Sequence, residues 1–129
     1  MIVDTSALLA VLFQEEDAEY YAEKLASGER KLITPFNALE AEIVLEARKG
    51  SEGRRELDLL FYHSMIDITP FDRAMTSLAA EAWRRFGKGN HPAGLNLGDC
   101  CAYALSVYTQ EPLLFKGDDF AKTDVQAAG

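Results

Sequence analysis

Ile2-Val3-Asp4-Thr5-Ser6-Ala7-Leu8-Leu9-Ala10-Val11-Leu12-Phe13 runs from an apolar pair through small polar residues into an unbroken apolar segment. The pair suits a short buried strand, the polar residues are of the type that cap helices, and the apolar segment reads as a helix. A strand leading straight into a helix is the opening unit of an α/β domain. The same alternation returns downstream. Asp17 is placed to cap a helix reaching about Ala26, Ser27-Gly28 ends it, and Lys31-Leu32-Ile33 is a second strand. Thr34 as cap and Pro35 in first position open a helix that runs to Lys49 and stops at Gly50. Residues 52 to 64 continue as helix, Met65-Ile66-Asp67-Ile68 is a third strand, and Thr69-Pro70 with Asp72 opens a helix ending near Arg85. After a loop from Gly87 to Gly94, Asn96 caps a helix from Leu97 to Thr109. Leu113-Leu114-Phe115 is then the last strand, ahead of the turn Lys116-Gly117-Asp118-Asp119. Short apolar strands separated by helices predict a mostly parallel central sheet.

A chain of 129 residues, 48% hydrophobic and 26% charged, has the size and composition of one globular domain over residues 1–129. Met1-Ile2-Val3-Asp4 puts a carboxylate where a secretory signal needs a basic and then an apolar segment, and no run approaches the ~20 apolar residues of a membrane span. The expectation is a cytoplasmic protein with no membrane association. Cys100 and Cys101 are adjacent, without the paired spacing of a zinc site, and read as reduced, buried residues. With 13 Lys+Arg against 21 Asp+Glu the net charge is -8, which excludes nucleic-acid binding through an overall basic surface. Any such role must be local, through cations held on carboxylates or through the basic stretch Arg84-Arg85-Phe86-Gly87-Lys88-Gly89-Asn90-His91.

Several carboxylates fall in unusual places. Asp4 ends the first strand, at the sheet edge where open α/β folds bind ligands. Glu40, projected at ~100° per residue, falls within the stripe Phe36, Leu39, Ile43, Val44 and Ala47, which predicts a buried carboxylate; Glu42, Glu46 and Lys49 share the opposite, solvated side. Asp99 sits in the first turn of a helix that is apolar almost all round. Asp118 and Asp119 follow the last strand. Taken singly, each has a structural explanation as a cap, a turn or a stripe-edge residue. Together they come from separate segments, each at a strand end or on an inward helical face, and their convergence would make a crowded acidic pocket. Such a pocket takes up protons unless hard cations neutralise it, and all-oxygen ligation suits Mg²⁺ or Mn²⁺ and phosphate chemistry.

Across essentially its whole length the chain resembles the PIN-domain nucleases, and within them the VapC-type toxins. The resemblance is carried by Met1-Ile2-Val3-Asp4-Thr5-Ser6-Ala7-Leu8, by Leu39-Glu40-Ala41-Glu42-Ile43-Val44-Leu45-Glu46-Ala47-Arg48, by Gly87 through Cys100, and by Leu113-Leu114-Phe115-Lys116-Gly117-Asp118-Asp119-Phe120. It implies a PIN-like three-layer α/β/α domain and a Mg²⁺-dependent (or Mn²⁺-dependent) endoribonuclease, the toxin of a toxin-antitoxin pair. It further implies Asp4 and Asp99 as metal ligands, with Glu40 and the Asp118-Asp119 pair completing the shell or orienting water. Thr5, Ser6 and Asn96 would be supporting donors. Independently of the resemblance, Arg84, Arg85, Lys88 and His91 are either RNA contacts through phosphates or simply a solvated helix end and loop. The implied partners are an RNA substrate, a VapB-type antitoxin and a second copy of the chain. The family pattern does not decide between the two aspartates of the doublet, and Glu42 is an additional acid where similar toxins often carry a small polar residue. Aspartyl-phosphate chemistry at Asp4 is a rival reading, disfavoured because Ser6 stands where a dehalogenase-like phosphatase has its second aspartate. A binding module without catalysis is another, disfavoured by the intact acidic set.

Overall fold

The chain alternates strand and helix as its apolar pattern predicts. In a computed structural model describing residues 1–129, the strands are β1 (Ile2–Val3), β2 (Lys31–Ile33), β3 (Ile66–Ile68) and β4 (Leu113–Leu114). The helices are α1 (Thr5–Leu12), α2 (Ala18–Leu25), α3 (Pro35–Lys49), α4 (Ser51–Ser64), α5 (Arg73–Phe86) and α6 (Leu97–Thr109). The strands form one sheet, every pair parallel, in the order β3-β2-β1-β4. Because side chains alternate along a strand, Val3, Ile33 and Leu114 enter one core with Ala7, Leu8, Leu25, Ala41, Leu45 and Leu57 from α1 to α4. Ile2, Leu32 and Leu113 enter a second core with Met75, Ala82, Phe86, Cys100 and Leu105 from α5 and α6. The sheet is thus the middle of three layers, each buried aliphatic side chain contributing ~1.5–3 kcal/mol. The chain leaves β1 toward β2 and β3 and returns on its other side at β4, so β1 marks the point where the crossover direction reverses.

Side-chain caps fix the helix starts. Asp4 accepts from the Ser6 amide, Thr34 from Asn37, Asp72 from Met75, and Asn96 forms a reciprocal capping box with Asp99. Asp17 departs from expectation: its side chain makes no cap bond and pairs with Lys116 Nζ at 2.9 Å. Gly53 lets α4 cross α3 closely, since a β-carbon there would stand 2.5 Å from the Leu45 carbonyl oxygen. A short 3-10 helix, Phe120–Lys122, was not legible in the sequence. The terminal segment then covers β4, with Leu113 N donating to Gln126 O at 2.8 Å and Ala128 N to Leu113 O at 2.9 Å. No helix is long and apolar enough to cross a membrane.

The register of α3 corrects the projection made from its sequence. Its buried face is Asn37, Ala38, Ala41 and Leu45, while Phe36, Leu39 and Ile43 are 47%, 53% and 57% exposed. Small residues let α3 pack against α1, α4 and α6, and the larger apolar residues are left outward. Glu40 is therefore exposed within an exposed apolar stripe, and Glu42 is the partly buried one of the pair.

Candidate active site

Parallel strands bring their carboxyl ends to one edge, and the acidic residues gather there. Asp4, next after β1, is buried to 5% exposure. Its Oδ2 accepts from the Ser6 amide at 3.0 Å and the Ser6 hydroxyl at 2.6 Å, and Oδ1 makes no hydrogen bond. Burial pushes its pKa up to about 6 against those bonds, and the charges of Asp99 and Glu40 push the same way. The Ser6 hydroxyl in turn accepts from the Lys116 amide at 2.9 Å, linking the segment after β4 to Asp4.

Asp99 lies in the first turn of α6. Its amide donates to Asn96 Oδ1 at 2.9 Å while its Oδ2 accepts from the Asn96 amide at 3.1 Å, which leaves Oδ1 open. Burial raises its pKa most, with the carboxylates of Asp119 and Glu40 adding to the rise and the Asn96 bond opposing it. Glu40 reaches the same region from α3: its Oε1 stands 3.2 Å from where a β-carbon on Gly98 would be. Asp4, Ser6, Asn96, Asp99, Asp118 and Asp119 line one cleft of about 480 Å³. Both members of the doublet are exposed in it, and Asp119 is the one whose charge acts on Asp99.

No three His, Cys, Asp or Glu side chains approach closely enough to enclose a cation by themselves. The donor set nonetheless fits Mg²⁺ or Mn²⁺, because Mg²⁺ keeps most of its waters and is commonly held by one or two carboxylates. Asp4 and Asp99, each with one oxygen tied down and one free, are such a pair.

The other expected residues are placed differently. The Thr5 hydroxyl donates to the Asn37 carbonyl at 2.8 Å and is not part of the cleft. Arg84 pairs with Glu81 on its own helix, and Arg85 with Asp124 at 3.0 Å. His91 Nδ1 accepts from the Ala93 amide, and its ring stands edge-on to Phe86. Lys88 borders a separate apolar hollow with Phe36, Phe71 and Trp83. None of the basic stretch lines the acidic cleft, so its contiguity in sequence does not translate into a cationic wall there. The cations that do line it are Lys116, held by Glu15 and Asp17, and Lys122, which makes no ion pair. Their place just after the last strand, on the same sheet edge as Asp4, was the signal that would have found them.

The PIN-domain family model matches residues 1–126. Among curated proteins, a ribonuclease VapC of Mycolicibacterium smegmatis is 44% identical over 98% of this chain and 98% of its own. The ribonucleases VapC28 and VapC30 of Mycobacterium tuberculosis are 43% and 42% identical, over 99% and 97% of this chain and 97% and 95% of theirs.

Proposed function

The chain belongs to the PIN-domain family, and on that premise we propose a Mg²⁺-dependent endoribonuclease that works as the toxin of a toxin-antitoxin pair. Residues 1–129 act as one cytoplasmic domain, and Mn²⁺ substitutes for Mg²⁺. The observation that carries this reading is Asp4: a buried carboxylate at the reversal point of the sheet, with the charges of Asp99 and Glu40 acting on it. Repulsion of that kind persists in a native site when a cation offsets it.

Asp4 and Asp99 would hold the cation, while Ser6 and Asn96 fix the orientation of their carboxylates. When bound, the metal lowers the pKa of a water and offsets charge on the phosphodiester. Glu40 and Asp119, with Asp118 beside it, would accept hydrogen bonds from an attacking water and orient it. Lys122 is the cation free to meet a phosphate at the rim. Two copies associate through the exposed Phe36, Leu39, Ile43, Trp83 and Leu97, a larger apolar surface than isolated exposed residues make. A VapB-type antitoxin inhibits by setting Arg side chains into the acidic cleft.

The test is cleavage of mixed single-stranded RNA by the purified protein. Activity should vanish in EDTA, return with Mg²⁺ or Mn²⁺, and be absent in a folded Asp99→Asn variant. Cleavage in EDTA, or full activity in that variant, defeats the reading.

A further inference from the structure

Asn37 is fully buried on the face of α3 that otherwise carries Ala38, Ala41 and Leu45. Packing alone asks for a small apolar residue there, so an amide needs another explanation. Its bonds tie α3 to the start of α1 and to the first turn of α6. Nδ2 donates to the Gly98 carbonyl at 3.0 Å, one residue before Asp99, and this is the one side-chain hydrogen bond joining α3 to α6. Oδ1 accepts from the Thr34 hydroxyl at the start of α3, and the Asn37 carbonyl accepts from Thr5, the neighbour of Asp4, at 2.8 Å. Glu40 lies three residues further along the same helix, on an adjacent position of its surface. Gly98 is where these threads meet: a β-carbon there would be 3.6 Å from Asn37 Nδ2 and 3.2 Å from Glu40 Oε1.

We propose that Asn37 is a positioning residue that fixes Glu40 and Asp99 relative to Asp4, and so sets the affinity of the cleft for a divalent cation. The inference rests on the metal-site reading above. Asn37 touches neither cation nor substrate; it holds the spacing of three carboxylate-bearing segments that the sheet alone leaves adjustable, since Glu40 and Asp99 both sit on helices. Residues that orient metal ligands typically alter affinity 10- to 100-fold when replaced.

The experiment titrates Mn²⁺ into metal-free protein by calorimetry, for wild type, Asp4→Asn, Asn37→Ala and Asn37→Asp, with thermal unfolding recorded on each. Asn37→Ala should fold and bind Mn²⁺ at least about tenfold more weakly. Asn37→Asp separates position from charge: an added carboxylate near the cleft would by charge alone tighten cation binding, whereas an oxygen facing the Gly98 carbonyl pushes α3 and α6 apart and weakens it. Wild-type or tighter affinity in both Asn37 variants overturns the proposal. If Asn37→Ala does not unfold cooperatively, Asn37→Ser is judged by the same criterion. Failure of the underlying reading looks different: wild type then binds no Mn²⁺, or Asp4→Asn binds it equally well.

Discussion

Glu40 and Glu42, two apart on a helix, point ~200° away from each other, so only one of them can serve a given pocket. Glu40 is the one whose charge acts on Asp4 and Asp99. Glu40→Gln is expected to lose most metal-dependent RNA cleavage. Glu42→Gln should leave cleavage unchanged and shift stability by no more than ~0.5 kcal/mol, through relief of its i,i+4 repulsion with Glu46; the reverse behaviour would remove Glu40 from the site. Sequence periodicity singled out Glu40 for a reason the structure revises. The large apolar residues around it mark an outward face, because projection counts side-chain size while close packing of α3 selects alanine. Asp4 makes a second prediction. Its carboxyl resists ionisation in the folded chain until about pH 6, whereas its ordinary value is 3.8. The unfolded chain therefore loses its proton first, so in metal-free protein the contribution of Asp4 to stability falls as pH rises between those values, by roughly 3 kcal/mol, and is level above them. In EDTA, Asp4→Asn should unfold at a higher temperature than wild type at pH 8 and show no advantage below about pH 4. A variant less stable than wild type at pH 8 would contradict this.

Helix boundaries were the most legible part of the sequence, since Thr34-Pro35, Asp72 and Asn96 are capping residues that act locally. Capping also explains why Asp99 taken singly read equally well as a cap: one oxygen completes the capping box while the other stays open. Which residues meet across elements was not legible. Asn37 and Gly98 lie 61 positions apart, and Gly98 reads in sequence only as an unfavourable helix residue. The structure gives it a use. Gly98→Ala should stabilise α6 by up to ~1 kcal/mol through helix propensity, while its β-carbon, 3.2 Å from Glu40 Oε1, displaces that carboxylate. Urea unfolding should show equal or higher stability together with reduced cleavage. Unchanged cleavage would mean that Glu40 tolerates the shift.

A chain of net charge -8 must meet RNA through a few placed cations rather than an overall field. The sequence indicated that constraint and pointed to Arg84 and Arg85, which are contiguous in sequence but in space pair with Glu81 and Asp124 and stand outside the acidic cleft. The exposed stripe of α3 carries the prediction at this scale. Light scattering should find the protein dimeric, and Ile43→Arg, at a position 57% exposed, should yield a folded monomer; an Ile43→Arg dimer of wild-type affinity would move the contact elsewhere. Cys100 and Cys101 carry a consequence for the molecule as a whole. Both thiols are free, 3% exposed, and pushed by burial up to about 11, so the native protein offers a labelling reagent almost no thiolate. Both border the apolar hollow beside Trp83, so loosening of the fold around α6 is what brings either sulfur to a reagent. The rate at which an alkylating reagent consumes them is then a clock for spontaneous opening of the domain, readable without any probe being added to the chain.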